Sequence, residues 1–414
     1  MPMSIPMTKT GPDRNGPHRA DEKRFEFASA RRIIFGRRTF SEVAALAAEQ
    51  GGHVLLLTGR DRDRAVMVRD GLAKRGCGTL SFSVGGEPTL PIVREALAAA
   101  RAARCDVIVG VGGGSVIDAG KAIAALMTNQ DDMLSYLEVI GRGQPLGNPP
   151  VPFIAVPTTA GTGAEVTANA VLKSPEHGRK VSLRGPFLLP AAVVVDPVLS
   201  AAMPPALTIA TGMDALTQLI EAFLSRKANP LTDAFCREGL SRVGRSLRRA
   251  WRDGNDLDAR EDMSLAALLS GMALANAGLG AVHGFAAVIG GMTAIPHGVV
   301  CARLLFPVLK INLEAMGRTE QGETMMGRLQ EMGRLLTGKA GAGAAEGVEW
   351  VGALCGEAAL PRLASGGLHP QDFPTVVAMA GMSSSMRGNP VDLSEKELLE
   401  ILQMEQRLNE RDAG

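Results

Sequence analysis

Residues 106–121 read DVIVGVGGGSVIDAGK, which is a short apolar run, three consecutive glycines and the start of a helical pattern. A buried strand that ends in a glycine turn and opens a helix is typical of open α/β sheets that bind nucleotides. Because the turn lacks side chains, its backbone N–H groups can face a phosphate at the helix N-terminus. The match to the GxGxxG fingerprint is incomplete, since Ser115 replaces the last glycine, so a tight structural turn is the alternative.

Short apolar runs alternate with helical patterns around this stretch, which predicts an α/β domain with a mostly parallel sheet. The predicted strands are residues 31–36, 53–58, 79–84, 106–110, 152–157 and 191–196. Beyond Met203 the periodicity is helical as far as Leu408. We therefore expect a disordered tail over residues 1–24, an α/β domain over residues 25–203 and an all-helical domain over residues 204–414.

The composition argues against several classes of protein. The 414 residues suffice for two domains, and a formal net charge of +1 with 4% aromatic residues argues against a nucleic-acid partner. Five scattered cysteines without CxxC spacing argue against a disulfide framework, so we expect a cytoplasmic location.

Residues 263–302 contain no charged side chain, which raises a membrane span as an alternative. The stretch carries polar residues and many glycines and lacks flanking aromatic belts. We interpret it as a buried helix pair and expect no membrane partner.

A second loop, PTTAGTGAEVT at residues 157–167, also follows a predicted strand. Its hydroxyls Thr158, Thr159 and Thr162 lie beside two glycines. Threonine caps in an ordinary turn would explain one such loop. Two of them at the ends of strands in one sheet favour a ligand, because open α/β sheets bind ligands at that edge.

A third pattern has the residue types of a metal site. Asp214 and Gln218 are four residues apart and share one face of a predicted helix. His283 and His297 bracket a Gly-Gly pair and a proline, so two successive helices could each supply an imidazole. One carboxylate, one amide oxygen and two imidazoles suit Fe²⁺ or Zn²⁺, although spacing alone also allows ordinary hydrogen bonds of buried histidines.

Five motifs in this order resemble those of the iron-containing (group III) alcohol dehydrogenase family: GGGSVIDAGK, PTTAGTGAEVT, GMDALTQLIEAFLS, GLGAVHGFAAVIGG and IPHG. The resemblance extends from about Phe25 to Leu408. It implies a dehydroquinate synthase-like fold, with an N-terminal dinucleotide-binding α/β domain and an all-α C-terminal metal and substrate domain. It also implies reversible hydride transfer between NAD(P) and a small alcohol or aldehyde, in a homodimer.

By position, the resemblance implies the metal ligands Asp214, Gln218, His283 and His297. Of these, Asp214, His283 and His297 would act in catalysis through the metal. The family ordinarily has histidine at the position of Gln218, so we expect weaker binding of Fe²⁺ or Zn²⁺, and loss of the metal remains open. Many relatives also have a histidine near the nicotinamide, at the position of Ala287.

The resemblance implies a larger set of cofactor residues in the two loops and around the ribose and adenine. They are Gly59, Gly113, Gly114, Ser115, Asp118, Thr158, Thr159, Thr162, Val171, Lys180 and Leu199, and Lys121 completes the first motif. Relatives that use NAD often have Asp at the position of Gly59. Its absence here, beside Arg60, favours NADP, because a carboxylate would repel a 2′-phosphate that an arginine could bind.

Two other functions remain open from the sequence. One is a metal-free or catalytically altered nucleotide-binding relative, which Gln218 and Ala287 would allow. The other is a member of the wider superfamily that acts on a different hydroxy or oxo substrate, such as a sugar-phosphate cyclase. That chemistry needs a basic cluster, and the helical half shows none beside the candidate ligands.

Overall fold

Strand β4 (Val107–Gly112) is buried along its whole length near the centre of a parallel sheet. The computed structural model describes residues 24–60, 63–318 and 320–408, so nearly all of the predicted tail lies outside the described residues. The sheet has the order β1-β8-β5-β4-β2-β3 and confirms the predicted parallel α/β architecture. Its other strands are β1 (Ile33–Phe35), β2 (His53–Thr58), β3 (Gly78–Ser83), β5 (Phe153–Pro157) and β8 (Ala192–Val195).

Side chains alternate between the two faces of the sheet along each strand, and apolar side chains project from both. Helices therefore cover both faces. Leu55 and Leu57 of β2 pack with α3 (Leu90–Ala102) and α4 (Gly114–Thr128). Leu56 points to the other face, with α1 (Val43–Ala48) and α2 (Asp63–Ala73). A parallel sheet buried on both faces explains why its strands read as continuous apolar runs.

The sequence did not predict the antiparallel hairpin of β6 (Asn169–Ser174) and β7 (Arg179–Arg184). Its strands carry Lys173, Arg179, Lys180 and Arg184 among their apolar residues. Such a mixed pattern is weaker than that of the buried parallel strands. Short helix α5 (Met133–Tyr136) lies earlier in the chain.

Beyond Pro205 the described residues contain helices and no strand. The helices are α6 (Pro205–Leu224), α7 (Pro230–Arg252), α8 (Leu257–Ala277), α9 (Ala281–Met292), α10 (His297–Met316), α11 (Glu320–Thr337), α12 (Ala344–Ala358), α13 (Phe373–Gly381) and α14 (Glu395–Leu408). They form one hydrophobic core, in which α6 is buried over most of its length. The domain boundary at residues 203–204 stays a prediction and lies between β8 and α6.

The loop that follows β5 joins the sheet to the helices. Gly163 lies so close to Gly271 of α8 that an added Cβ would lie 2.4 Å from its Cα. Gly161 approaches Thr211 of α6 in the same way, at 2.5 Å from its Cβ. Glycine is required at both positions, because any side chain would separate the loop from the helical half.

The uncharged stretch forms α8, α9 and the start of α10, and many of its apolar residues belong to the helical core. Within the described ranges, no single helix is long and apolar enough to cross a membrane. Helices α8 and α9 pass the length and composition test only as a pair, and a bend of 98° separates them.

Candidate metal and cofactor site

Three helices bring the predicted ligands Asp214, His283 and His297 together. Asp214 is on α6, His283 is in the first turn of α9, and His297 is the first residue of α10. The Oδ1 atom of Asp214 lies 3.4 Å from Nε2 of His283 and 3.7 Å from Nε2 of His297. Asp214 and His283 are buried, whereas the side chain of His297 is 41% exposed, so the cluster is accessible from the His297 side.

Glu221, two turns after Asp214 on α6, orients His283. Its carboxylate lies 2.6 Å from Nδ1 of His283 and also accepts the N–H of Val282 at 2.6 Å. An imidazole whose Nδ1–H is bound to a carboxylate presents a free Nε2 lone pair, which is the usual arrangement of a metal-binding histidine. The sequence prediction missed Glu221, although its i, i+7 spacing from Asp214 places it on the same helix face.

The histidines and the carboxylate of the cluster stabilise each other's charged forms. Burial alone would raise the pKa of Asp214, but His297 and His283 outweigh it and lower that pKa. Burial alone would lower the pKa of His283, but Cys301, Asp214 and Glu221 together hold it well above its usual range. Among the described residues, Oδ1 of Asp214 has no hydrogen-bond partner although it is buried. A buried carboxylate oxygen without a donor, facing two imidazole nitrogens, fits a divalent cation.

Cys301, which the sequence prediction also missed, belongs to the same cluster. Its Sγ lies 3.6 Å from Nε2 of His297 and 3.8 Å from Nε2 of His283. One candidate ligand atom comes from each of Asp214, His283, His297 and Cys301, and these four atoms all lie within 4.8 Å of one another. The i, i+4 spacing from His297 on α10 was the available signal. Burial alone would raise the pKa of the Cys301 thiol, but His297 and His283 outweigh it and lower that pKa.

Gln218 lies one turn after Asp214, as predicted; its side chain hydrogen-bonds to Asp214, which helps to lower the pKa of that carboxyl group, and its amide also contacts other groups. Its Oε1 accepts the hydroxyl of Ser270 on α8 at 2.7 Å. Its Nε2 lies 3.5 Å from the carbonyl oxygen of Thr162 in the loop after β5. Gln218 therefore connects α6 to α8 and to that loop.

The two glycine loops meet at the carboxyl edge of the sheet. Strands β4 and β5 are parallel neighbours, and Gly113 and Thr159 follow their ends. A Cβ on Gly113 would lie 3.2 Å from Cγ2 of Thr159, and one on Gly114 would lie 2.9 Å from Oγ1 of Thr162. The loops thus form a cradle at the N-terminus of α4, where Ser115 is in the first turn and backbone N–H groups favour an anion.

Lys121 does not extend toward this cradle. Its Nζ is fully buried and donates to Ala164 O at 2.7 Å and to Thr167 Oγ1 at 3.0 Å. It also lies 3.5 Å from Asp118, and burial lowers the pKa of Lys121 while raising that of Asp118. The pair therefore anchors the segment after β5 to α4.

The other predicted cofactor residues lie on separate elements. Thr158 is buried at the end of β5, and its N–H donates to the last residue of β4 at 3.0 Å. Val171 on β6 and Lys180 on β7 belong to the hairpin, where Lys180 pairs with Glu87. Leu199 lies in the turn after β8 and packs on the face of the sheet that α1 and α2 cover.

Gly59 directly follows β2. The chain leads from β2 to β3 on one side and from β4 to β5 on the other, so the strand order reverses between β2 and β4. Dinucleotides bind at such a switch point. No described atom lies within 4 Å of a Cβ added to Gly59. The neighbouring Arg60 donates its Nε to Gly85 O at 2.8 Å.

Two family models match this chain over most of its length. The model described as iron-containing alcohol dehydrogenase matches residues 30–197. The C-terminal model of the same family matches residues 208–405. The chain belongs to the iron-containing alcohol dehydrogenase family.

Individual relatives agree with this assignment. The chain is 37% identical to a 1,3-propanediol dehydrogenase of Klebsiella pneumoniae over 379 residues, which is 89% of this chain and 95% of the relative. A solved structure of a 1,3-propanediol oxidoreductase superposes with a TM-score of 0.85 at 34% identity, covering 92% of this chain and all of that one. A sulfoacetaldehyde reductase from Bifidobacterium kashiwanohense, solved with NAD⁺, has a TM-score of 0.81 at 25% identity over 92% of this chain and 98% of its own.

As a member of the family, the protein is an oxidoreductase that acts on CH–OH groups, and the family uses NAD(H) and a divalent metal. Small alcohols and aldehydes are the substrate class of its relatives.

Proposed function

We propose that the chain transfers hydride reversibly between a nicotinamide cofactor at the two glycine loops and a small alcohol or aldehyde at the Asp214–His283–His297 cluster. The observation that carries the proposal is the buried Oδ1 of Asp214, which has no hydrogen-bond partner among the described residues and faces two imidazole nitrogens from two other helices. Gln218 contacts Thr162, so this cluster lies next to the second glycine loop. A cation and a cofactor bound at these places would be neighbours.

Each residue of the cluster has a separate role in this proposal. Asp214, His283 and His297 hold the divalent cation, and Glu221 keeps Nε2 of His283 directed at it. When bound, the cation supplies a Lewis acid for the substrate oxygen and the nicotinamide supplies or accepts the hydride. The protein orients the two reactants and needs no nucleophilic side chain. Ala287, exposed one turn after His283, offers no proton carrier, so the proton exchanges through water or another group.

The cofactor sites in this proposal follow the cradle. Gly113, Gly114 and Ser115 would hold the pyrophosphate, opposite the hydroxyls of Thr159 and Thr162. The rest of the proposed set are Gly59, Asp118, Thr158, Val171, Lys180 and Leu199. Asp118 would act through its contact with Lys121.

Replacement of His283 by alanine tests the proposed reaction. We expect His283→Ala to lose turnover while keeping cofactor affinity nearly unchanged, because the imidazole belongs to the metal cluster and not to the glycine loops. Steady-state kinetics and fluorescence titration with NADPH and NADH measure the two quantities. His53→Ala is the matched control, since His53 is exposed at the start of β2. Full activity of His283→Ala, or of the metal-stripped protein, would refute the proposal.

A preference for NADP over NAD is part of the proposal. Support comes from Gly59, where no described atom lies within 4 Å of an added Cβ, and from the adjacent Arg60, which could pair with a 2′-phosphate. If the Arg60 guanidinium left its contact with Gly85 O, it could form this pair. The ratio of kcat/KM with NADPH to kcat/KM with NADH measures the preference, and a ratio below one would overturn it.

We also propose a homodimer, as the family resemblance suggests, and light scattering of the purified protein tests it.

The cytoplasm is the proposed location because all five cysteines are free of disulfide bonds, the state that a reducing compartment maintains. Cell fractionation with antibody detection tests the location.

A further inference from the structure

We propose that Cys301 is the fourth protein ligand of the metal, in the place that the family resemblance assigns to Gln218. This inference rests on the proposed metal site at Asp214, His283 and His297. It adds that the site has one thiolate donor and therefore prefers zinc to iron, because soft thiolate ligands favour Zn²⁺ over harder ions.

The distances between the candidate donors match a tetrahedral site. Bonds of about 2.0–2.1 Å to nitrogen or oxygen and about 2.3 Å to sulfur would separate tetrahedral donors by about 3.3–3.6 Å. Sγ of Cys301 lies 3.6 and 3.8 Å from Nε2 of His297 and His283. Oδ1 of Asp214 lies 3.4 and 3.7 Å from Nε2 of His283 and His297. Small shifts of the side chains would bring all four donors to one ion.

The side chain of Gln218 has partners outside the cluster as well as its hydrogen bond to Asp214. Its Oε1 accepts from Ser270, and its Nε2 is directed at Thr162 O. Rotating Gln218 to bind a cation through Oε1 would break its contacts with Ser270 and Thr162, although the Ser270 hydroxyl would keep Ala267 O as an acceptor.

The surroundings of Cys301 differ from those of another thiol in the same helical core. Sγ of Cys355 donates to the backbone carbonyl of Ala302 at 3.2 Å, an ordinary thiol hydrogen bond. Sγ of Cys301 faces two imidazole nitrogens instead, and its residue is fully buried. His297 and Cys301 are one helical turn apart on α10, so both can reach the same ion.

Cobalt substitution tests the assignment without depending on activity. Protein stripped with a chelator is titrated with Co²⁺ and followed by absorption spectroscopy. We expect a sulfur-to-cobalt charge-transfer band in the near-ultraviolet, together with the visible bands of tetrahedral cobalt. Cys301→Ala should lose the charge-transfer band and bind Co²⁺ and Zn²⁺ more than about 100-fold more weakly, since even residues that only orient ligands are worth 10–100-fold.

Cys236→Ala is the matched control, because Cys236 is a fully buried thiol of the helical core outside the cluster, and it should keep the band. Gln218→Ala should keep it as well. Circular dichroism of each variant shows that it is folded. In the unmodified protein, tetrahedral or other visible cobalt bands without the charge-transfer band would overturn the Cys301 assignment and leave the metal site standing. Failure to bind Co²⁺ or Zn²⁺ at all would overturn the proposed metal site and the Cys301 assignment together.

Discussion

Glu221 performs two tasks at the level of a single residue. Its carboxylate accepts Nδ1–H of His283, and it accepts the backbone N–H of Val282 at the start of α9. The second contact places a negative charge at a helix N-terminus, where it is stabilising. The side chain that orients the imidazole therefore also holds the helix that carries it.

Replacement of Glu221 should weaken metal binding without removing a ligand. We expect Glu221→Ala to lower Zn²⁺ affinity by about 10–100-fold, the usual effect of losing a carboxylate that orients a histidine. Glu221→Gln can still accept a hydrogen bond and should lose less. Competition with a chromophoric chelator gives the affinities. Glu331→Gln, which removes a carboxylate paired with Arg237 outside the cluster, should leave Zn²⁺ affinity unchanged. An equal loss of Zn²⁺ affinity in this variant would show that a less stable fold, and not the lost contact with His283, causes the effect.

At the level of elements, the start of α4 and the loop after β5 form one structural unit, the proposed cofactor cradle. Gly114 opens the helix, and its missing side chain makes room for Thr162. The same loop reaches α6 through Gly161 and α8 through Gly163. A displacement of this loop would therefore disturb both the proposed cofactor cradle and the cluster of candidate metal ligands.

Adding a single methyl group at Gly114 tests this unit. A Cβ there would lie 2.9 Å from Oγ1 of Thr162, so the Thr162 side chain or its loop must shift. We expect Gly114→Ala to raise the dissociation constants of NADPH and NADH about 10-fold, because a shifted loop loses hydrogen bonds to the charged pyrophosphate, each worth about 1.5–3 kcal/mol. Gly327→Ala is the control, because a Cβ at this position on α11 meets nothing within 4 Å. Unchanged NADH binding by Gly114→Ala would contradict the role of the cradle.

At the level of the whole molecule, a metal ion would connect three helices of the domain core. Asp214, His283 and the pair His297 and Cys301 come from α6, α9 and α10, and the unfolded chain holds none of them together. Binding to the native state alone stabilises it by mass action. The metal is therefore expected to contribute to stability as well as to chemistry.

Thermal unfolding measures this contribution. At a free Zn²⁺ concentration of about 100 times Kd, the native state gains about 2.7 kcal/mol. With an unfolding entropy of about 2.1 cal/mol/K per residue, this raises Tm by about 3 °C for a chain of this size. Calorimetry of stripped and reloaded protein gives the shift, and His283→Ala should show much less of it. The same shift in both proteins would place the stabilising ion elsewhere.

Much of the architecture follows from local patterns. The parallel strands appear as short apolar runs because both faces of the sheet are covered, and the helical half lacks such runs. The hairpin β6–β7 was missed because its charged residues dilute its apolar pattern. In the site, the prediction named three members of the cluster but not Cys301 or Glu221, whose roles depend on how α6, α9 and α10 pack.

The amino-acid sequence alone determined the order of sheet and helices, the two glycine loops and the family, because periodicity and motif spacing are local properties of the chain. Only the tertiary structure decided which side chains meet. Cys301 faces Asp214 across 87 residues of sequence, and Gln218 and Lys121 turn to partners in the loop after β5. A buried donor binds whichever acceptor the packed helices bring within reach, and spacing within one helix carries no information about its neighbour.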